Sequence, residues 1–312
     1  MRWNRNIKRI LLFILIFVGL NEGIKVYFFK VSVHNHRLVK QDRAFNAYHG
    51  PLDYIVMGHS RPARDIDAQL IPGCYSYCSS SENNIRSYYK LLDVLKKHEK
   101  RIGVVLLPIG ISSISLDYPD KMKNSFYWSP YMDYFELGEL TGDRVTYLKM
   151  HLKTGLFPYY EYPYVRLMEK YKDMRVVIPN SVYASATEEE RVSFAHDIIT
   201  NQQKFAHIND TIAMQYVQKT INLTKSYGKP LVFIKYPVTN YYLDAVSTYE
   251  PRWIKEQQQI EQLVSGQENI YLLDFQNLFQ DHPEYFIDTH HLNELGRTAF
   301  TKVLAEKLKS LK

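Results

Sequence analysis

The sequence predicts an α/β protein built on a parallel sheet with helices on both faces. Two observations carry this. Short apolar runs within residues 53–57, 102–109, 230–235 and 270–274 have strand length and lack the alternation of a half-exposed strand, as strands buried on both faces require. Segments with helical spacing of apolar residues lie between or after them, at 83–100, 209–228 and 293–311, so strands and helices alternate. Right-handed crossovers then leave few topologies open, and 312 residues are ample for such a core.

The elements follow in chain order. Arg2, Arg5, Lys8 and Arg9 precede the run ILLFILIFVGL at 10–20, and apolar character continues to Phe29. About 20 residues make a helix of roughly 30 Å, enough to cross a bilayer. No small-residue cleavage site follows, so the expectation is an uncleaved signal anchor, with a cleaved signal peptide as the alternative. The basic flank would stay inside and residues from about 35 onward would be extracytoplasmic. Asn21, Glu22 and Lys25 would then lie in the outer half of the span, where they need partners. Residues 31–50 are polar and without period, and read as a lead-in. YIVM forms the first strand, and CYSYCS after Gly73 a second, at 73–79. Its cysteines, Cys74 and Cys78, are too few for a disulfide framework and lack partners at zinc-ligand spacing; two buried thiols are expected. The helix at 83–100 carries Ile85, Tyr88, Tyr89, Leu92, Val94 and Leu95 and ends in basic residues, as a helix C-terminus prefers. After the third strand comes a long stretch, 111–208, rich in aromatics (FYWSPYMDYF, FPYYEYPYVRL), expected as an insertion over the carboxyl edge of the sheet. A helix at 209–228, capped by Asn209 or Asp210 and ended by Gly228, leads to the fourth strand. The last helix turns Leu295, Ala299, Phe300, Val303, Leu304, Leu308 and Leu311 to one face. The division expected is an anchor region, 1–35, and one domain, 36–312.

Composition excludes some functions. A net charge of +6 without a concentrated basic stripe argues against nucleic acid as a partner. No Walker loop, no G-x-G-x-x-G after a strand and no metal-ligand cluster is seen, so neither cofactor nor metal is expected. The 26 tyrosines suit sugars and wet interfaces, or reflect coding bias; the sequence leaves both open.

The chemistry is concentrated at two distant points. The first strand runs into MGHSRPARDID, residues 57–67, which places Ser60 at its carboxyl end. Near the other terminus, YFIDTHHLNELG holds Asp288 and His291 three residues apart, just before the last helix. A serine nucleophile needs a base to take its proton, and the base needs a carboxylate to fix its tautomer. In an open α/β sheet both segments emerge at the same edge, outside the carboxyl ends of the strands.

G-x-S-R after the first strand, with D-x-x-H-L-N before the final helix, resembles the SGNH/GDSL hydrolase superfamily, most closely its membrane-anchored extracytoplasmic members of the alginate-acetylation and D-alanine-transfer kind. The likeness covers the anchor, the two end blocks and strand order, but not 111–208. It implies a three-layer flavodoxin-like sheet, with Ser60 as nucleophile, His291 rather than His290 as base and Asp288 as its orienting acid. It implies acyl transfer, most plausibly of acetyl, to or from a polysaccharide, with a membrane protein as possible acyl donor; a small-ester esterase and a lapsed interaction protein are the alternatives. His59 stands where the family has Asp or Ser, and is expected to fill the turn. The family's glycine block has no clean counterpart, since SSSENN (79–84) occupies its place. Gly58, Arg61, Ser81, Asn84 and Asn240 are therefore the candidates for substrate or oxyanion binding. Arg61 and Arg64 are expected either to hold an anionic substrate or to pair with Asp65, Asp67 or other surface carboxylates.

Overall fold

The computed structural model describes residues 5–34, 36–79, 82–110, 115–116, 125–161, 180–205, 207–208, 210–249 and 252–311. Five parallel strands form the central sheet: β1 (Leu52–Val56), β2 (Cys74–Ser76), β3 (Ile102–Pro108), and, after a two-residue antiparallel pair β4 (Ser115–Leu116) and β5 (His207–Ile208), β6 (Leu231–Lys235) and β7 (Ile270–Asp274). Their order is β2-β1-β3-β6-β7. The chain leaves β1 toward β2 on one side and continues from β3 through β6 to β7 on the other. The winding thus reverses between β1 and β3, whose carboxyl ends lie side by side.

The strands are apolar because both faces are covered. All five residues of β6 are buried. One face carries Tyr54, Val56, Leu106, Val232, Ile234 and Leu273 against Phe300, Leu304 and Leu308 of the last helix, Glu294–Lys309. The other carries Ile55, Val105, Leu107, Leu231 and Phe233, also buried. The helices Asn84–His98 and Asp210–Ser226 pack together, and the hydroxyls of Tyr89 and Tyr216 bond at 2.9 Å.

Several expectations are revised. Residues 31–50 are not structureless: the first helix continues as a π-helical turn, Phe28–Val33, and Arg37–Ala47 is a helix that buries Leu38 and Phe45. Two apolar residues seven apart on a polar background leave too narrow a stripe to read as a period. Helices Asn240–Tyr249 and Arg252–Val264 were likewise not expected. Cys78 is buried, but Cys74 is only partly so; neither forms a disulfide.

The chain clusters into two units. One comprises residues 1–48 with 119–176, the other 49–118 with 177–312. The stretch 111–208 is therefore divided between them. In the second unit, Ala195 and Ile199 of the helix Glu188–Phe205 pack on Tyr242, Ala245 and Val246. The first unit begins with the helix Arg5–Tyr27, which continues to Val33 and is long and apolar enough to cross a membrane.

Candidate functional site

The turn after β1 is shaped by its glycine. Gly58 has φ +117°, and a Cβ there would lie 2.5 Å from two ring carbons of Pro108 at the end of β3. Only glycine fits both demands. The Gly58 carbonyl accepts the N–H of Ser79, so the segment after β2 is tied to the same turn. Ser60 then opens the helix Ser60–Asp65. His59 is its cap: the ring Nδ1 accepts the Arg61 N–H at 3.2 Å. Pro62 sits in the first turn, where a missing N–H is harmless.

The second block is held by its own polar residues. Asp288 Oδ1 accepts the N–H groups of His290 and His291, both at 2.9 Å, closing an Asx turn. Asn293 caps the last helix by accepting from the Gly296 N–H at 3.0 Å. A Cβ on Gly296 would lie 2.3 Å from the Tyr285 carbonyl oxygen, so glycine is required for this close approach. Leu292 is buried and bridges to Phe286. Each position of D-x-x-H-L-N-x-x-G thus has a local physical reason.

The two blocks meet. Ser60 Oγ lies 2.9 Å from His291 Nε2, across 231 residues of sequence. His291 Nδ1 lies 2.9 Å from Asp288 Oδ2. The alignment is supported from behind by Asp65, wholly buried on the helix of Ser60, whose Oδ1 accepts the Leu292 N–H at 3.0 Å. The Asp67 N–H donates to Thr301 Oγ1 at 2.9 Å. These bonds clamp the serine helix to the segment that carries the histidine. Nothing in the sequence separated Asp65 from its charged neighbours; its role follows from burial alone.

The electrostatics suit proton relay. Burial pushes the Asp288 carboxyl up, but His290 beside it and the hydrogen bonds from the His291 ring and the backbone outweigh it and hold it well below the usual carboxylate range. Asp288 is therefore a carboxylate at neutral pH. It favours the proton on His291 Nδ1, which leaves Nε2 free to accept from Ser60. Burial, with Arg61 and His291 adding to it, lowers His59 well below its ordinary value; burial, and then His291, does the same for His290. Burial likewise raises Asp65, against the Leu292 N–H and the Arg61 charge.

The two neutral histidines have a consequence for stability. Their folded values lie below 6.5, so the unfolded chain takes up protons there that the folded chain refuses. Their contribution is complete above 6.5 and is lost as pH falls, by about 1.4 kcal/mol per pH unit for each ring. Thermal melts between pH 7.5 and 5.5 should show a falling Tm, and His59→Asn, which keeps a capping acceptor, should reduce the slope. An unchanged slope in that variant would show that His59 is not held neutral.

The remaining candidates are placed as follows. Arg61 is 4% exposed and pairs with neither Asp65 nor Asp67; Arg297 lies 3.9 Å from Asp67. Helix geometry points the Arg61 guanidinium inward, over the Tyr242 ring at 5.1 Å, and Tyr242 stacks on His290 at 5.2 Å. Arg61 Nε and Nη2 are buried and have no hydrogen-bond partner among the described residues. Asn84 opens the helix after β2, and its Nδ2 is likewise a buried donor without a partner among the described residues. Asn240 is exposed at the start of its helix, next to Thr239, which bonds to the Thr289 carbonyl. Ser81 lies outside the described residues. Lys235, at the end of β6, pairs with Glu261 and Asp274.

Asp288, His290 and His291 could together hold a metal ion, their ligand atoms lying within 4.8 Å of one another. An ion there would compete for the atoms that join Asp288, His291 and Ser60.

A family model without a stated function matches residues 182–311, less than half of the chain. The match includes Asp288 and His291 and excludes Ser60. No curated protein matches the sequence.

Proposed function

We propose that this chain is a membrane-anchored serine acyltransferase or esterase of the SGNH type, acting outside the cytoplasm on a cell-surface polysaccharide. The observation that carries the reading is the Ser60–His291–Asp288 chain, with both links at 2.9 Å, on the turn that follows β1 where the winding reverses. The strand order, renumbered within the central sheet as 2-1-3-4-5, is the flavodoxin-like order that the resemblance implies. The apolar first helix supports the anchor.

In this mechanism Ser60 Oγ attacks the acyl carbonyl and passes its proton to His291 Nε2. Asp288 holds the ring and stabilises the imidazolium. The tetrahedral oxyanion takes hydrogen bonds from the free donors, for which Arg61 and Asn84 are the candidates. Collapse breaks the bond to the leaving alkoxide, which takes the proton from His291, and leaves an ester on Ser60. A sugar hydroxyl or water, deprotonated by His291, then attacks that ester and frees Ser60. Transfer and hydrolysis differ only in this acceptor. A membrane protein that delivers acyl groups fits the first half-reaction as donor.

The test is labelling of the full-length protein with a fluorophosphonate, located by mass spectrometry. The expected result is an adduct on Ser60 that is lost in His291→Ala. Folded protein without an adduct would overturn the reading. Glycan-stimulated turnover would then mark a transferase, and its absence an esterase.

A further inference from the structure

The first unit contains an apolar surface that the site does not use. The helix Arg144–Leu156 buries Tyr147, Met150 and Thr154. On its opposite side Val145, Leu148, Leu152 and Leu156 recur at spacings of three and four residues and are 63%, 43%, 48% and 48% exposed. The helix has no acidic residue, and Arg144, Lys149, His151 and Lys153 flank the apolar stripe. Large exposed apolar stripes on soluble proteins mark a surface that something covers.

The end of this helix is fixed to the first one. Asn21 is buried, and its Nδ2 donates to the Leu156 carbonyl at 3.0 Å while its Oδ1 accepts from the Tyr159 hydroxyl at 2.7 Å. The Phe17 and Phe157 rings meet edge to face, with centroids 6.5 Å apart. Asn21 thus has both ends of its amide satisfied, and one of the unpaired terminal carbonyls of the helix Arg144–Leu156 finds a donor.

The depth follows from length. The run 10–20 covers only about 16 Å, half of what a span needs, so the hydrocarbon must extend beyond Asn21. Apolar exposure does extend: Ile24, Val26, Tyr27, Phe29 and Val31 are all open to the outside. Phe17 and Asn21 then lie inside the bilayer, and Leu156, Phe157 and Tyr159 lie at their level.

We propose that the helix Arg144–Leu156 is embedded in the leaflet at the C-terminal end of the first helix, with Val145, Leu148, Leu152 and Leu156 among the acyl chains and its basic flanks directed to lipid phosphates. The occupant of the stripe is lipid, because Leu156 at its end is held to Asn21 of the apolar first helix and because Lys149 and Lys153 flank it, while Arg144 is paired with Glu139. The inference rests on the reading that the first helix crosses the membrane. It makes the first unit a two-point membrane attachment rather than a single tether.

Nitroxide labels on single cysteines in full-length protein, reconstituted in vesicles of phosphatidylcholine and phosphatidylglycerol, test it. The replaced positions, Ile14, Leu148, Leu152 and Asn46, are all exposed, so labelling leaves the fold intact. The native thiols are raised to about 12 by burial and label slowly; Cys74→Ala with Cys78→Ala checks this background. The expected result is that labels at Leu148 and Leu152 relax faster with oxygen than with a water-soluble nickel complex, as at Ile14, while Asn46 shows the reverse. A lipid-exposed Ile14 with an aqueous Leu152 would overturn the proposal and leave the anchor standing. An aqueous Ile14 would overturn both.

Discussion

Ser60→Ala is expected to fold normally and to lose turnover of an activated ester by about 10⁴-fold or more. The prediction has this size because in the proposed mechanism the hydroxyl oxygen forms the new bond, so no neighbour replaces it. It leaves stability nearly unchanged, since Ser60 Oγ bonds only His291 Nε2 in a partly open site, and loss of one such bond costs about 1 kcal/mol. Turnover of p-nitrophenyl acetate by the wild type and variant, with thermal melts of both, measures it. The double variant with His291→Ala should be no slower than Ser60→Ala alone, because the two residues act as a unit. Ser60→Ala activity within tenfold of wild type would remove the serine from the reaction.

Asp288→Asn is the second large effect. The amide oxygen can still accept from the His290 and His291 N–H groups, so the turn survives. The amide nitrogen, however, would face His291 Nδ1 and require it to be an acceptor. That moves the ring proton to Nε2, the atom that takes the proton of Ser60 in the proposed mechanism. A drop of about 10⁴-fold in kcat is expected. Nitrogen NMR of the imidazole reads the tautomer directly. If kcat falls with the original tautomer kept, the carboxylate acts by charge; if kcat is unchanged, another group orients the ring.

Much of this was legible in sequence because burial on both faces writes a simple pattern. The strands at 102–109, 230–235 and 270–274 lie within a residue or two of β3, β6 and β7. The blocks around Ser60 and His291 were legible because each is locally constrained: Gly58 by its φ, Asp288 by its Asx turn, Gly296 by the Tyr285 carbonyl. The helix Arg37–Ala47 was not legible, since only two of its side chains are buried. Nor was the environment of Arg61. Its position beside Asp65 and Asp67 in sequence suggested ion pairs, yet the short helix turns it inward onto Tyr242, nearly two hundred residues away.

The sequence by itself determined the class of fold, the apolar first helix and the identities of Ser60, Asp288 and His291 as candidates. Each of these depends on side chains close together in the chain, through helical or strand periodicity and turn chemistry. Only the tertiary structure decided the strand order, the reversal between β1 and β3, the meeting of Ser60 with His291, the clamp from Asp65 to Leu292 and the joining of residues 119–176 to the N-terminal region. These depend on which buried surfaces pack against which, and local periodicity shows that a face is buried without showing what covers it.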